Sequence, residues 1–200
     1  MPSKDAKRTN ARERIIDAAM AIVFEDGARK LSLDAVAERA GVSKGGLLYH
    51  FKSKSDLLKG MVARHIAILE DAVAAAHAEI AKDNKPNALI RAYLQAVFVE
   101  ICTKKKPHTG LLAAIAEEPE LLAPVRAHNT RLVAELRAAS ETPDLAQVAL
   151  LAVEGSWHMR LFDISPFDDA ALKRQFDALT ELLANPPANP PARRDEEQPS

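Results

Sequence analysis

Four consecutive residues, Ser43-Lys44-Gly45-Gly46, combine a hydroxyl, an ammonium group and two positions without a side chain. That set suits an anionic polymer with readable edges. Ser43 stands where a helix N-cap belongs, so its hydroxyl and the partial positive charge of the helix start can both meet a phosphate. Capping alone is the plainer reading, and the two roles are compatible. Lys44 is the candidate for reaching base edges, as a donor to guanine acceptors. A Gly inside a helix costs about 1 kcal/mol relative to Ala. Gly45 and Gly46, early in a short helix, therefore point to a surface that must be approached closely.

The elements that position these residues lie in Leu31 to Leu58, LSLDAVAERAGVSKGGLLYHFKSKSDLL. Ser32 caps a helix whose apolar face is Leu33, Val36 and Ala37, and Ala40 closes it. Gly41 can take the positive φ that ends a helix. A second short helix follows from Ser43, with Leu47 and Phe51 as core positions, and Lys52 need be no more than solvated charge. Ser53 to Asp56 then has capping-box spacing, with Asp in place of Glu or Gln. Two helices joined by a short Gly-containing turn form a helix-turn-helix, whose second helix enters a major groove.

This word order resembles the N-terminal domain of the tetracycline-repressor (TetR) family. The matching pieces are ARERIIDAAMAIVFEDG, AERAGVSKGGLLYHFKSKSDLL and their spacing, from about Arg12 to Met61. The resemblance implies that Gly45 and Gly46 let the recognition helix approach DNA. It also implies that Tyr49 bonds a backbone phosphate with His50 beside it, and that Lys54 makes a further phosphate contact. The DNA-facing set is therefore Ser32, Ser43, Lys44, Gly45, Gly46, Tyr49, His50 and Lys54.

The whole chain of 200 residues carries a formal charge of −1, which hides an asymmetry. Residues 1–60 hold twelve Lys and Arg against eight Asp and Glu, a net of +4; residues 61–200 hold fifteen against twenty, a net of −5. A basic front and acidic back imply that only the front meets phosphates. The single cysteine, Cys102, rules out an intrachain disulfide and fits a reducing, cytoplasmic setting. MPSKDAKRTNARER lacks the apolar stretch of a secretory signal, and no apolar run reaches the ~18–20 residues that span a bilayer.

Apolar residues make up 48% of the chain and aromatics 4%. The Ala- and Leu-rich composition, without strand alternation, predicts an all-α fold of about nine helices. Residues 1–9 read as a loose polar arm. A first helix runs from about Asn10 to Glu25, with Ile15, Ile16, Ala19, Ile22 and Val23 on one face. The fourth runs from about Asp56 to Ala81, the fifth from Asn87 to Thr103, and a short one from Gly110 to Glu117. Pro124 either starts the next helix or kinks it. Further helices cover about 143–162 and 168–184. The expected division is a DNA-binding domain over 1–54, an effector-binding and dimerisation domain over 55–184, and a Pro-rich, charged tail over 185–200 that reads as disordered.

Enzyme signatures are missing from the sequence: there is no GxGxxG after a strand, no Walker loop, no HExxH and no Cys-x-x-Cys. The histidines show no metal spacing, so no metal, cofactor or catalytic residue is expected. The segment PDLAQVALLAVEGSWHMRLF is apolar almost all round. One stripe is Leu145, Val148, Ala152, Gly155, Met159 and Phe162; the other is Ala146, Ala149, Leu150, Val153, Trp157 and Leu161. Two stripes imply burial on both sides, either in the middle of one subunit or against a second copy. Reading a palindrome with one short helix per subunit favours the homodimer. The resemblance places that interface on the last two long helices.

An effector pocket is likewise implied by the resemblance, with Met61, His65, Tyr93, Phe98, Cys102, Leu111, Trp157, His158 and Met159 as lining candidates, for each of which plain core is the simpler reading. Glu100, Glu154 and Arg160 are charges on apolar helices that would fix a polar ligand group or form salt bridges. The expected function is a DNA-binding transcriptional regulator, a repressor released from a palindromic operator by a small molecule. The alternatives are an activator or regulator without a ligand, and an enzyme with an incidental helix-turn-helix.

Overall fold

The computed structural model describes residues 4–27, 30–103 and 119–187. Among them there are eight α-helices and no strand. The helices are α1 (Lys4–Asp26), α2 (Leu33–Ala40), α3 (Lys44–His50), α4 (Lys54–Ile80), α5 (Ala88–Thr103), α6 (Ala123–Ala139), α7 (Pro143–Leu161) and α8 (Asp169–Ala184). The expected all-α architecture holds. The helix expected over 110–117 and nearly all of the expected tail lie outside the described residues.

Local chemistry sets the ends of these elements. Ser32, Ser43 and Ser53 each accept a hydrogen bond from a backbone N–H three residues on, at 3.1, 3.1 and 3.0 Å. Such caps stabilise a helix by about 1 kcal/mol each. Gly41 takes φ +64 and ends α2, with the N–H of Val42 donating to the Ala37 carbonyl at 3.0 Å. Asp168 caps α8 in the same way as the serines. Pro124 falls in the first turn of α6, so it starts that helix and does not kink it. Two boundaries differ from expectation. α1 begins at Lys4 and not near Asn10, and α4 begins at Lys54, directly after its Ser53 cap.

Two apolar cores result. The first joins α1, α2, α3 and the start of α4 through Ile15, Ile16, Val36, Leu47, Phe51, Leu57 and Met61, with one residue from beyond α4, Leu121. The second is built from α4, α5, α6, α7 and α8 around Val73, Ile90, Leu94, Leu136, Val153 and Leu172. α4 has 27 residues, about 40 Å at 1.5 Å per residue, and takes part in both cores.

The two sides of α7 differ in burial, although Leu145 of the first stripe also packs against the back-half core. Ala146, Ala149, Leu150, Val153 and Leu161 are buried in the subunit. On the other side Val148 and Leu151 are 60% and 72% exposed, and Phe162, at the helix end, is 52% exposed. The stripe of Leu150 and Val153 is therefore the subunit core and cannot be a partner-facing surface. A buried polar knot holds the far end of this core together. Asn87 Nδ2 donates to Thr142 Oγ1 and to the Leu183 carbonyl, each at 2.9 Å, and its N–H donates to Glu141 Oε2 at 2.8 Å. Beside it, Arg91 forms an ion pair with Asp83, whose carboxyl is held down at about 2, first by that hydrogen bond and then by one from the Lys85 backbone.

Candidate nucleic-acid interface and back-half groove

α3 is anchored by its apolar side. Leu47 and Phe51 are 0% and 3% exposed, as their spacing requires. The Arg12 guanidinium sits 5.2 Å from the Phe51 ring centroid and covers it from α1. With that side fixed, the opposite side of α3 faces outward. Ser43, Lys44, Gly45 and Tyr49 are exposed, Tyr49 at 64%, and Lys54 is exposed at the first position of α4. Ser32 is exposed at the start of α2. The His50 ring meets the Tyr49 ring edge-on at 5.2 Å between centroids.

The two glycines differ in what surrounds them. A Cβ on Gly45 would meet nothing within 4 Å, so no neighbour among the described residues requires glycine there. On Gly46 it would press on Ser43 Oγ at 3.3 Å, the atom that caps the helix. Lys44 is also engaged: its Nζ lies 2.9 Å from the Asp34 carboxylate of α2. Both partners are largely exposed, so water screens the pair and it holds Lys44 only loosely. Sequence reading missed Asp34, because the pairing is set by the crossing of α2 and α3 and not by spacing along one helix.

A groove of about 430 Å³ opens between α4, α5 and α6. Leu69, Val73, Leu89 and Leu132 form its apolar wall. Its polar side is a cross-link between helices: Glu70 of α4 meets His128 Nδ1 at 2.9 Å and accepts from Arg131 Nη2 at 3.0 Å. The His128 hydrogen bond, outweighing some desolvation and aided by Arg131, lowers the Glu70 carboxyl below its usual range and keeps it ionised. Tyr93 also lines the groove, but its hydroxyl donates to Glu154 Oε1 at 2.6 Å. Burial, then the Glu154 charge, raises that phenol, so it keeps its proton.

Of the residues expected from sequence to line a pocket, Tyr93 does so, Leu111 lies outside the described residues, and the rest are dispersed. Met61 is in the first core. His65 lies 3.5 Å from Glu100 Oε1, between α4 and α5. Phe98 packs against Phe176 at 5.1 Å. Trp157 meets His158 edge-on, and Met159 is half-buried. Cys102 is exposed, and desolvation followed by the Asp169 charge raises its thiol, which disfavours the thiolate. Arg160 pairs with Asp169. The groove is lined instead by Glu70, His77, His128, Arg131 and Glu135. A legible signal for part of it existed: His128 and Arg131 stand i, i+3 on one face of α6. Among the described residues no group of His, Cys, Asp and Glu is arranged to hold a metal, and no helix is long and apolar enough to cross a membrane.

Comparison with known proteins matches both halves in order. Residues 15–61 fit the family described as bacterial regulatory proteins, tetR family, and residues 87–184 fit the tetracyclin repressor-like C-terminal domain. The chain is similar to the HTH-type transcriptional regulator BetI of Yersinia pestis, with 30% identity over 147 residues, covering 72% of this chain and 74% of that protein. Its structure is similar to that of the multidrug binding protein EbrR complexed with ethidium, at 26% identity and a TM-score of 0.62, covering 84% of this chain and 97% of that one. A TetR-family regulator from Mesorhizobium loti shares the fold at a TM-score of 0.67, 17% identity and 91% and 97% coverage. A helix-turn-helix front with an exposed basic face, joined to a helical back half of matching order, is thus a known arrangement: the chain belongs to the TetR family of transcriptional regulators.

Proposed function

We propose that the protein is a cytoplasmic, homodimeric repressor that leaves a palindromic operator when a small molecule occupies its back half. The observation that carries the reading is the one-sided α3: Leu47 and Phe51 are buried while Ser43, Lys44, Gly45 and Tyr49 are exposed together beside Lys54. In this reading Ser43, Tyr49 and Lys54 bind phosphates, Lys44 reaches base edges, Gly45 and Gly46 admit the backbone, and Ser32 and His50 flank them. Val148, Leu151 and Phe162, with Leu182 of α8, supply an exposed apolar surface for a second copy. The groove of α4, α5 and α6 is the candidate effector site, supported by its apolar wall and ionic rim. EbrR, which resembles this chain over most of its length, is a multidrug binding protein with ethidium bound.

Release needs a ligand that binds the DNA-incompetent form more tightly, since equal affinity would shift nothing. Selection of duplexes from a random library tests the reading, followed by a screen of apolar cations and neutral compounds for melting shifts. A two-fold symmetric sequence and at least one compound that both raises Tm and releases that duplex are expected. An enriched palindrome with no releasing compound would instead favour a regulator without a ligand.

A further inference from the structure

The core of the DNA-binding half is not made from that half alone. Leu121 is 0% exposed and belongs to the same apolar cluster as Ile15, Ile16, Leu57, Leu58 and Met61. Among the described residues it is the one member of that cluster from beyond α4. It sits in the single turn Pro119–Leu122, which packs against α4 and runs directly into α6 at Ala123. About two and three turns beyond Leu121, α6 carries His128 and Arg131, which grip Glu70 of α4 across the groove. α6 therefore holds α4 at two heights. The lower hold is apolar, and it reaches into the packing beneath α3.

We infer that Leu121 is a positioning residue for the recognition unit, a core side chain donated by the back half so that the seat of α6 sets the order of α1 to α3. The physical reason is that close-packed cores respond to the loss of even a few methyl groups and do not deform continuously. Withdrawing Leu121 leaves a void in the cluster it shares with Leu57, Met61, Ile15, Ile16 and Phe51. Drawing α6 away from α4 at the groove would withdraw it, because only Leu122 separates Leu121 from the start of α6. The inference extends the proposed effector reading, but its test needs no effector.

By linkage, anything that orders α1 to α3 must order α6, and by the same factor. The probe is a duplex selected from a random library by the wild-type protein, with amide exchange followed on the full chain. Saturating duplex is expected to slow exchange over residues 124–133 at least threefold in the wild type. In Leu121→Ala that protection is lost at saturation, and exchange over 15–51 in the free protein rises at least tenfold while 172–183 stays unchanged. Leu121→Val, which folds with a smaller void, should fall between the two. Equal protection of 124–133 in wild type and variants, or no protection in either, overturns the inference. So does a Leu121→Val protein whose 15–51 exchange matches the wild type. An effector screen that fails leaves these outcomes as they are, so the two readings fall separately.

Discussion

A Cβ built on Gly60 would stand 2.8 Å from Cε1 of Phe51, closer than real atoms approach. The first turns of α4 thus lie directly on the ring that closes the recognition helix, and Ile16 of α1 is next nearest at 3.6 Å. Gly60 is there because α4 must come this close to hold Phe51.

Gly60→Ala should therefore act on DNA binding through packing. The added methyl must displace the Phe51 ring, which Arg12 covers and which is 3% exposed. Overpacking of this kind costs about 1–3 kcal/mol. The variant is expected to melt lower and to bind its operator more weakly, although residue 60 is buried away from the exposed face. Phe51→Leu in the same chain should recover part of the lost Tm.

Asp34 and Lys44 give a second test. Asp34 pairs with Lys44, the side chain proposed to reach base edges, and under that proposal its carboxylate would face the phosphates. Replacing it by Asn removes that repulsion and frees Lys44 at little cost to folding, since exposed ion pairs are worth about 0–1 kcal/mol. Asp34→Asn should tighten operator binding several-fold at 0.1 M salt with Tm unchanged. Lys44→Ala should flatten the preference among duplexes, as seen by competition between cognate and single-base variants.

The buried and exposed sides of α7 make opposite predictions for one substitution. Glu at Leu151 or Val148 places charge on a surface that is exposed in one subunit, so the chain should fold and sediment as a monomer. Glu at Leu150 or Val153 buries an unpaired charge in the subunit core, at several kcal/mol, and should unfold it. Analytical ultracentrifugation with circular dichroism separates the two. A folded dimer from Leu151→Glu would move the interface elsewhere.

The Asp83–Arg91 pair sets an acid limit. Its carboxyl titrates near 2, below the unfolded value of about 3.9. A group with a depressed folded value stabilises above its unfolded value and loses that contribution as pH falls through the folded one. The stability difference between wild type and Asp83→Asn should be level above about pH 5, shrink below about pH 4 and vanish only below about pH 2. Urea unfolding of both proteins across that range measures it.

What could be read in the sequence was local. The serine caps, the Gly41 stop and the Leu47–Phe51 spacing follow from rules acting within a turn or two, and each is as expected. Pro124 was ambiguous, because a proline fits a helix start and a kink alike; the turn around Leu121 resolved it. Which stripe of α7 faces inward was not legible, since both are apolar and only the placement of α5 and α8 decides. Leu121 in the front core and Glu70 with His128 across the groove are pairings over more than fifty residues. No periodicity records them. Met61, His65, Phe98, Cys102, Trp157 and Met159 follow from side-chain chemistry and the resemblance, neither of which records helix rotation, and that rotation disperses them over both cores and the surface.

The central claim is that one face, Ser43 to Lys54, carries DNA binding, and an anisotropy titration against salt tests it most directly. The selected duplex is titrated with wild type, Tyr49→Phe and Lys54→Ala from 50 to 300 mM salt. Two protomers per duplex are expected, with a steep fall in affinity as salt rises. Lys54→Ala should weaken all duplexes alike and reduce the slope of log affinity on log salt by about one. Tyr49→Phe should weaken binding without changing that slope, because the hydroxyl is neutral. Unaltered affinity and slope in both variants, with helix content intact, would contradict the assignment of this face.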